Sequence, residues 1–360
     1  GLDTLDFSAT TTRTLTVNLS NAASQVANSP NLTLTLSSST SFERVIGGTL
    51  GDTITGNSLN NLLVGGPGND TYVFDADAGL GSDVLDESGG GVDLLSFSLT
   101  TTQAINLNLG QAAALVVNPN LTLTLSSASE FENVTGGSLA DVLAGNSLAN
   151  SLTGGAGNDR YVFDADSPLG SDTVNESGGG LDTLDFSPSS LGVTVNLALA
   201  TAQVVNGNLT LNLSSASTFE AVIGGDGADS ITGNTLGNTL TGGAGNDTIA
   251  GSSGNDLYLF DTDTNLGSDV LNETGGGTDT LDFSTTSSLA VSVNLATATA
   301  QTVNANLTLN LQAANTFEAV TGGSLGDTLT GNALANTIVG GSGDDTMAGS
   351  TGAGGGGAGG

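Results

Sequence analysis

The sequence predicts an all-β fold, a solenoid of short β-strands, from three observations. The segment GLDTLDFS at residues 1–8 returns as GVDLLSFS, GLDTLDFS and GTDTLDFS at residues 91–98, 180–187 and 277–284. Inside each of these large repeats, a nine-residue unit rich in glycine and aspartate recurs in tandem. Elsewhere, stretches such as TLTVNLS at 14–20 alternate apolar and polar residues. Short strands at regular spacing, with turn residues between them, are typical of a repetitive all-β architecture.

Four large repeats account for most of the chain. Each begins with the segment just described, continues through a pair of alternating stretches and a Phe-Glu step, and then reaches the tandem nonapeptides. The third repeat contains one nonapeptide more than the others, which explains most of its greater length. We therefore expect four solenoid repeats at residues 1–90, 91–179, 180–276 and 277–350, followed by a glycine-rich tail at residues 351–360.

The expected strands follow one another at similar spacing within a repeat. Each strand with its turn forms half a coil, so strands two apart in the chain stack side by side in one sheet. Single rows of apolar residues, such as Leu15, Val17 and Leu19, are enough to fill the interior of so thin a coil. In the first repeat the expected strands are Thr4–Phe7, Thr14–Leu19, one around Val26, Leu32–Leu36, Phe42–Ile46, the nonapeptide strands, Asp83–Leu85 and Val92–Phe97.

The nonapeptides share the pattern glycine-glycine-x-glycine-x-aspartate-x-apolar-x, as in GGPGNDTYV at 65–73 and GGAGNDTIA at 242–250. This pattern resembles the RTX (repeats-in-toxin, haemolysin-type) calcium-binding repeat. The resemblance implies a parallel β-roll in which six loop residues hold Ca²⁺ and three residues form a short strand. It covers the tandem nonapeptides closely and the rest of the chain only loosely.

The residue types in the loop favour the same chemistry on independent grounds. Glycine at the first, second and fourth positions permits backbone conformations with positive φ and a close approach of successive loops. Aspartate at the sixth position adds a carboxylate beside the loop carbonyl groups. Loops two nonapeptides apart stack on the same side, so together they provide the six to eight oxygen ligands that Ca²⁺ prefers.

The composition excludes most other kinds of site. Histidine, cysteine and lysine are absent, which removes Ser-His-Asp and Cys-His nucleophilic sites, cysteine or histidine zinc sites and Schiff-base lysines. We therefore expect no enzyme activity. The 36 acidic residues outnumber the 3 basic ones, for a net charge of −33, so nucleic acid is not an expected partner. No apolar run is long enough to span a membrane.

The acidic charge also predicts that folding depends on the metal. Stacked coils align aspartates at strand spacing, and repulsion among these carboxylates opposes compaction unless cations lie between them. Calcium ions turn this repulsion into cross-links between coils. We therefore expect folding to be coupled to Ca²⁺ binding.

The loops differ in how fully they match the pattern. Several place leucine at position four, for example Leu50, Leu139 and Leu325, and others place asparagine at position six, as at Asn61. We expect these loops to replace the ion with an inward-turned leucine and an asparagine hydrogen-bonded to its stacked neighbour. Five loops satisfy the full pattern, namely Gly65–Asp70, Gly154–Asp159, Gly224–Asp229, Gly242–Asp247 and Gly340–Asp345, and a sixth, Gly251–Asp256, departs from it only at Ser252.

The strongest predicted calcium site lies between Asp229 and Asp247, because both belong to full-pattern loops two nonapeptides apart. The alternative for all of these loops is a metal-free Asx turn, in which the side chain only bonds its own backbone. The remaining candidate metal ligands are Asp256, the weaker pairs Asp52 with Asp70, Asp141 with Asp159 and Asp327 with Asp345, and the recurrent Asp83, Asp172, Asp269, Asp93, Asp182 and Asp279, which extend the ladder of sites.

Together these features predict a bacterial extracellular or cell-surface structural protein. It would be a calcium-stiffened repeat rod that forms a filament, stalk, adhesin or surface-layer segment. Its expected partners are calcium ions and further copies of itself, joined end to end or laterally. The alternative is the repeat region of a type I secreted enzyme or toxin, such as a lipase or metalloprotease, without its catalytic domain.

Two further interpretations have less support from the sequence. Ice binding would require threonine at a loop position that instead holds residues such as Pro67 and Ala156. The glutamates Glu87, Glu176 and Glu273 lie near aspartates and resemble a glycosidase carboxylate pair. Their repetition argues against that role, because a catalytic site occurs once, in a concave pocket.

Overall fold

A computed structural model of the chain describes residues 2–28 and 32–349. Every regular element within those residues is a β-strand, and most strands are three residues long. The strands belong to two compact units. The first comprises the residues up to Val162 together with Leu169–Gly180, and the second comprises Phe163–Pro168 and the residues from Leu181 onward. The predicted tail at 351–360 lies outside the described residues.

The strands of the first unit are short because each nonapeptide leaves only three residues between glycine-rich turns. Their bounds are β1 Thr4–Asp6, β2 Thr16–Asn18, β3 Gln25–Asn28, β4 Leu32–Leu34, β5 Arg44–Ile46, β6 Thr53–Thr55, β7 Leu62–Val64, β8 Thr71–Val73, β9 Gly81–Asp86, β10 Leu94–Ser96, β11 Asn106–Asn108, β12 Leu115–Asn118, β13 Leu121–Leu125, β14 Asn133–Thr135, β15 Val142–Ala144, β16 Ser151–Thr153, β17 Arg160–Val162 and β18 Gly170–Asn175.

Successive strands of the first unit alternate between sheets, so the chain coils as it advances. One sheet has the order β1-β5-β7-β9-β13-β12, a second contains β2-β6-β8-β10-β14-β16-β18, and a third contains β11-β15-β17. The nonapeptide strands pair in parallel, with Val45 beside Leu63 and Leu63 beside Leu85. The predicted parallel β-roll, a β-solenoid, is confirmed for these strands.

The second unit follows the same plan. Its main sheets are β19-β23-β25-β27-β29-β33-β35 and β20-β24-β26-β28-β32-β31, with a smaller sheet β30-β34-β36. These strands are β19 Thr183–Asp185, β20 Thr194–Asn196, β21 Gln203–Val204, β22 Leu209–Leu213, β23 Ala221–Ile223, β24 Ser230–Thr232, β25 Thr239–Thr241, β26 Thr248–Ala250, β27 Leu257–Leu259, β28 Gly267–Leu271, β29 Thr280–Asp282, β30 Ser292–Asn294, β31 Gln301–Asn304, β32 Leu307–Asn310, β33 Ala319–Thr321, β34 Thr328–Thr330, β35 Thr337–Val339 and β36 Thr346–Ala348.

A β-hairpin interrupts the parallel coil once in each large repeat. The hairpins are β3–β4, β12–β13, β21–β22 and β31–β32, and each pairs antiparallel. The expectation that the strand around Val26 and the strand Leu32–Leu36 are successive half-coils is therefore wrong. Only Pro119 and Asn120 join β12 to β13, and two residues can reverse the chain but cannot carry it to a parallel neighbour.

The core of each unit is a row of inward side chains, usually the middle residue of a three-residue strand. Val45, Leu63 and Leu85 stack in this way and are fully buried. Aromatic pairs close the ends of the first three nonapeptide blocks, as where Phe74 stacks on Phe97 with ring centroids 5.2 Å apart. The described part of the chain contains no helix with the length and hydrophobicity of a membrane span.

Candidate calcium sites

The aspartates at position six of the loops form hydrogen-bonded ladders from coil to coil. The N–H of Asp52 donates to Oδ1 of Asp70 over 2.6 Å, and the N–H of Asp70 donates to Oδ1 of Asp93 over 2.7 Å. The paired aspartates of the prediction are therefore stacked neighbours. The same bond joins Asn61 to Asp83, Asn150 to Asp172 and Asp141 to Asp159 in the first unit, and Asp229 to Asp247, Asp247 to Asp269, Asn238 to Asp256, Asp256 to Asp279 and Asp327 to Asp345 in the second.

Two of these ladders contain a triad of buried acids. In the first unit, carboxylate oxygens of Asp70, Glu87 and Asp93 all lie within 4.8 Å of one another. The second unit places Asp256, Glu273 and Asp279 in the same arrangement. We call these the first triad and the second triad.

A tyrosine hydroxyl holds the glutamate of each triad in place. Tyr72 donates its hydroxyl hydrogen to Oε1 of Glu87. In the second unit Tyr258 donates to Oε2 of Glu273 over 2.5 Å and accepts the N–H of Gly251 over 2.7 Å. The tyrosine is the inward residue of the strand that follows the loop, so the core fixes the position of the acid.

Several oxygens of the triads are buried and accept no hydrogen bond. They are Oδ2 of Asp70, Oδ2 of Asp93 and Oε2 of Glu87 in the first triad, and Oδ2 of Asp256 and Oδ2 of Asp279 in the second. A carboxylate buried without a partner is costly, because it has lost its hydration. These oxygens therefore need a proton or a cation.

The raised pKa values of the first triad reflect the same free-energy cost of burying a charged carboxylate. Burial raises the pKa of Glu87 to about 9 and the pKa values of Asp70 and Asp93 to about 6. In the second triad, burial raises the pKa of Asp279 to about 7 and raises that of Asp256. Desolvation is the largest cause in each case, since it disfavours the charged form.

The donor set fits calcium. Each triad offers only oxygen ligands, and three carboxylates match a hard divalent cation that takes six to eight oxygens. An ion among them would satisfy the unbonded oxygens and cancel the repulsion between the acids. The residues present would thus hold Ca²⁺ and be held together by it.

Glycine geometry makes room for an ion beside the first triad. Gly66 and Gly68 have φ of 92° and 137°, a region that other residues rarely adopt. Gly65 lies against the acids, and a Cβ there would collide with the carboxylates of Glu87 and Asp70. The glycine at position one of the motif is therefore required because the acids approach its backbone closely. The glycines at positions two and four are required because their φ is positive.

The first loop of each nonapeptide block is built differently, because both oxygens of its aspartate already accept backbone N–H groups. Asp52 bonds the N–H of Leu15 over 2.7 Å and that of Gly48 over 2.5 Å. Asp229 bonds Val193 and Gly225 in the same way. These aspartates are thus satisfied by backbone groups without a metal, but not as Asx turns, because the donors lie four residues earlier and on the adjoining coil. The corresponding aspartates of the other blocks are Asp141 and Asp327.

The loop Gly224–Asp229 shows that the full sequence pattern does not ensure the full loop conformation. In the described residues, Gly243 and Gly245 of the neighbouring full-pattern loop have φ of 94° and 129°, whereas Gly225 and Gly227 are outside the positive-φ region. Burial raises the pKa of Asp247 to about 7, and its Oδ2 accepts no hydrogen bond. The pair Asp229 with Asp247 remains a predicted site, with Asp247 as its unsatisfied member.

The expected inward turn of the leucine is wrong for three loops that begin a nonapeptide block. Leu50, Leu139 and Leu325 are 37%, 39% and 41% exposed. The reason is that the carboxylate of the loop's own aspartate, such as Asp52, bonds the backbone and fills the loop interior.

The expected asparagine bonding is confirmed. Oδ1 of Asn61 accepts the N–H of Asn57 over 2.7 Å within the loop, and the N–H of Asn61 donates to the stacked Asp83. The amide group thus supplies both an acceptor and donors where a carboxylate would need a cation.

The remaining predicted ligands are dispersed along the ladders. Asp83, Asp172 and Asp269 are buried beside asparagine or aspartate backbone, and burial raises the pKa of each to about 7. Asp345 is only half-buried. Asp159 of the first unit and Asp182 of the second are also buried.

Glu87 and Glu273 are candidate ligands that sequence reasoning missed. The recurrence of Glu87, Glu176 and Glu273 was the available signal, since each glutamate directly precedes a glycine-rich segment that ends in aspartate. Glu176 is also buried and accepts the hydroxyl hydrogen of Tyr161 over 2.6 Å. Their proximity to Asp70 or Asp256 depends on the stacking of coils, which spacing along the chain does not reveal.

Comparison with known protein families identifies the nonapeptide blocks. Residues 46–85, 135–167, 223–258 and 321–358 match the RTX calcium-binding nonapeptide repeat, which is present in four copies. No curated protein matches the chain. The predicted resemblance is confirmed, and the cofactor of these repeats is Ca²⁺.

Proposed function

We propose that this RTX-repeat chain is an extracellular structural protein, a calcium-stiffened rod that serves as a filament, stalk, adhesin or surface-layer segment. The repeats support the location, because RTX-repeat proteins are typically secreted. The observation that carries the proposal is the recurrence of buried acid triads between stacked coils. An ion at each triad ties neighbouring coils together, which is a mechanical role.

The chemistry of the triads supports a role without catalysis. The first triad and the second triad have the same residues, the same tyrosine contact and the same burial. Repetition of one arrangement is what a scaffold needs, whereas an enzyme needs one site that differs from its surroundings. We therefore propose that the chain is not an enzyme.

Small-angle X-ray scattering of the purified chain tests the proposal. In millimolar Ca²⁺ we expect an elongated, rigid particle, and we expect a more expanded and more flexible particle when a chelator is added. Circular dichroism on the same samples would follow the β-structure. A particle whose dimensions are unchanged by the chelator would contradict the proposal, because calcium would then contribute nothing to stiffness.

The repeat region of a secreted enzyme or toxin is the second candidate, since the same repeats would serve that role. Sequence flanking the 360 residues distinguishes the two. A non-repetitive domain beside the repeats would favour an enzyme or toxin, and further repeats of about 90 residues would favour the structural role. Ice binding has little support, because Thr55 lies beside Val73 and Thr232 lies beside Ala250, which interrupts the threonine rows.

A further inference from the structure

The chain contains one Asn-Gly pair, Asn206–Gly207, and it lies in the turn of the hairpin β21–β22. β21 ends at Val204 and β22 begins at Leu209, so neither residue of the pair belongs to a strand. Gly207 is exposed, and a Cβ placed on it would meet no atom of a non-neighbouring residue within 4 Å. Water therefore reaches this turn, and its backbone has room to move.

A hydrogen bond folds the side chain of Asn206 back over the turn. Its Oδ1 accepts the N–H of Asn208 over 2.9 Å. This Asx turn brings Cγ of Asn206 toward the backbone nitrogen of the residue between them, Gly207. The donated N–H also lies where negative charge develops when a nucleophile adds to Cγ, so it stabilises that step.

Two other hairpins make the same bond, but a different residue follows the asparagine. Oδ1 of Asn118 accepts the N–H two residues further on over 2.9 Å, and Oδ1 of Asn304 does so over 3.0 Å. Asn118 precedes Pro119, which has no N–H. Asn304 precedes Ala305, whose Cβ crowds the backbone nitrogen. Both asparagines are also the last residues of their strands, β12 and β31. Among these three hairpins, only β21–β22 places an unhindered N–H after an asparagine outside the strands.

We propose that Asn206 is a self-modification site, which the chain converts to aspartate and isoaspartate with water as the only co-reactant. The backbone nitrogen of Gly207, once deprotonated, bonds to Cγ of Asn206. The bond from Cγ to Nδ2 breaks, and Nδ2 leaves as ammonia with the proton that the backbone nitrogen lost, which yields a succinimide ring. Water then opens the ring at either carbonyl carbon, so no oxidation or reduction occurs. The site is independent of the proposed mechanical role.

The conversion removes a donor that ties the hairpin to the preceding loop. Nδ2 of Asn206 donates to the carbonyl oxygen of Ala165 over 3.1 Å. An ionised carboxylate has no hydrogen to donate, so its oxygen repels that carbonyl oxygen. Nδ2 of Asn208 keeps its own bond to Ala165, over 2.9 Å. Modification should therefore loosen the hairpin without unfolding the chain.

Peptide mapping by mass spectrometry tests the proposal on the intact chain, kept folded in Ca²⁺ in a mildly alkaline buffer made with ¹⁸O-labelled water. We expect ¹⁸O to enter at Asn206, at a rate that rises with pH because the deprotonated nitrogen attacks. Asn118 and Asn304 are internal controls and should convert at least about tenfold more slowly. Gly207→Ala should slow the conversion of Asn206 by about tenfold or more, with circular dichroism confirming that the variant is folded.

A synthetic peptide of residues 203–211 shows whether the fold permits the reaction. We expect Asn206 of the folded chain to convert within about tenfold of the rate in the peptide, since only the bond to Ala165 has to break. Conversion of the peptide without conversion of the folded chain would overturn the proposal, as would equal rates at Asn206 and Asn304.

Two aspartate variants test the consequence for the hairpin. Nδ2 of Asn304, the counterpart of Asn206, donates to Oγ1 of Thr262 over 2.6 Å. A hydroxyl can donate in return, whereas a carbonyl cannot, so Asn304→Asp should leave hydrogen exchange in its hairpin within about twofold of the parent. Asn206→Asp should speed exchange about fivefold at Val205, whose N–H bonds the carbonyl of Leu209. Unchanged exchange in Asn206→Asp would count against the proposal, because the modification would then leave the hairpin as it was.

Discussion

The loops Gly47–Asp52 and Gly65–Asp70 both end in aspartate at position six, and they stack on one another in one ladder. Their two aspartates nevertheless make opposite kinds of contact. The carboxylate of Asp52 accepts two backbone N–H groups and closes its own loop. The carboxylate of Asp70 accepts one, from Asp52, and turns its other oxygen toward Glu87 and Asp93. The first loop is satisfied by the protein, and the second is satisfied only by a cation or a proton.

The difference teaches that aspartate at position six does not by itself make a calcium site. Gly65–Asp70 also has glycines in the left-handed region and a second glycine-rich segment, ending at Asp93, on the adjacent coil. Gly47–Asp52 has Leu50 at position four, where the motif has glycine, and its loop stacks on Thr10. A calcium site needs two successive glycine-rich loops whose aspartates each keep one oxygen without a hydrogen bond, together with an acid between those loops.

Removal of calcium should have the largest effect, and it should affect the two loops unequally. Each occupied site contributes about 2.7 kcal/mol at a Ca²⁺ concentration one hundred times its dissociation constant, and several sites act together. In a chelator we expect loss of exchange protection first at Gly68, whose N–H bonds Gly90 in the adjoining loop. The N–H groups of Leu15 and Gly48, which bond Asp52, should stay protected longer.

Hydrogen exchange followed by mass spectrometry or NMR measures this difference. Magnesium at the same concentration is a suitable control, because it prefers a smaller octahedral site and retains its waters. Simultaneous loss of protection in both loops would show that the distinction between them has no energetic meaning.

The dependence of stability on pH should be the next largest effect, and calcium should reverse its sign. The raised pKa values of Asp70, Glu87 and Asp93, at about 6 to about 9, exceed the ordinary values near 4. The calcium-free fold therefore binds protons that the unfolded chain does not. Its stability should increase as the pH falls from about 9 to about 4. In saturating calcium, protons compete with the ion, so stability should decrease over that range.

Thermal unfolding at a series of pH values, with chelator and with Ca²⁺, checks both directions. Glu87→Gln should flatten the calcium-free profile above neutral pH, because that glutamate has the highest pKa of the triad. A calcium-free fold that loses stability on acidification would contradict the assignment of these carboxylates as unpaired.

Substitution of the two aspartates by asparagine should separate their roles. Asp70→Asn keeps an oxygen for the N–H of Asp52 and removes one buried charge, so it should lower the calcium stoichiometry without destabilising the calcium-free fold. Asp52→Asn keeps one acceptor where two are needed. It should cost about 1 to 2 kcal/mol with or without calcium. Calcium titration calorimetry and chemical denaturation measure the two quantities.

The contrast between the variants is its own control, because both change one carboxylate to an amide in adjoining coils. If Asp52→Asn lowered the calcium stoichiometry and Asp70→Asn did not, the roles assigned to the loops would be exchanged.

Much of the fold was predictable because it follows from local repetition. The nonapeptide fixes a three-residue strand between glycine turns, and the ladder through Asp52 and Asp70 follows from stacking loops two apart. The hairpin β12–β13 was missed because Leu121–Leu125 alternates apolar and polar residues like any strand. Its antiparallel pairing depends on the two-residue turn at Pro119. Alternation alone does not indicate whether neighbouring strands run parallel or antiparallel.

The site was predictable only in part. Spacing identified Asp52 and Asp70 as a stacked pair and placed Asp93 among the acids that extend the ladder, but it did not predict that Asp93 is the neighbour of Asp70. It did not reveal Glu87, whose position depends on the hydroxyl of Tyr72, nor that Asp229 would bond Val193. Those contacts join residues that are distant in the chain and depend on tertiary packing, which a repeat pattern does not encode.

The smallest expected effect concerns Ser252, which stands where Gly243 stands in the loop one nonapeptide earlier. Ser252 has φ of 77°, in the left-handed region that costs a residue with a side chain about 1 to 2 kcal/mol. Ser252→Gly removes this strain, but it loses the bond from the hydroxyl to the carbonyl of Gly233 and adds freedom to the unfolded chain. We therefore expect a net gain of only about 0.5 kcal/mol. The reverse change, Gly243→Ser, should destabilise by more, because its Cβ would collide with the carbonyl oxygen of Gly225. Denaturant unfolding in saturating Ca²⁺ measures both, and a loss of stability in Ser252→Gly would mean that the hydroxyl bond outweighs the strain.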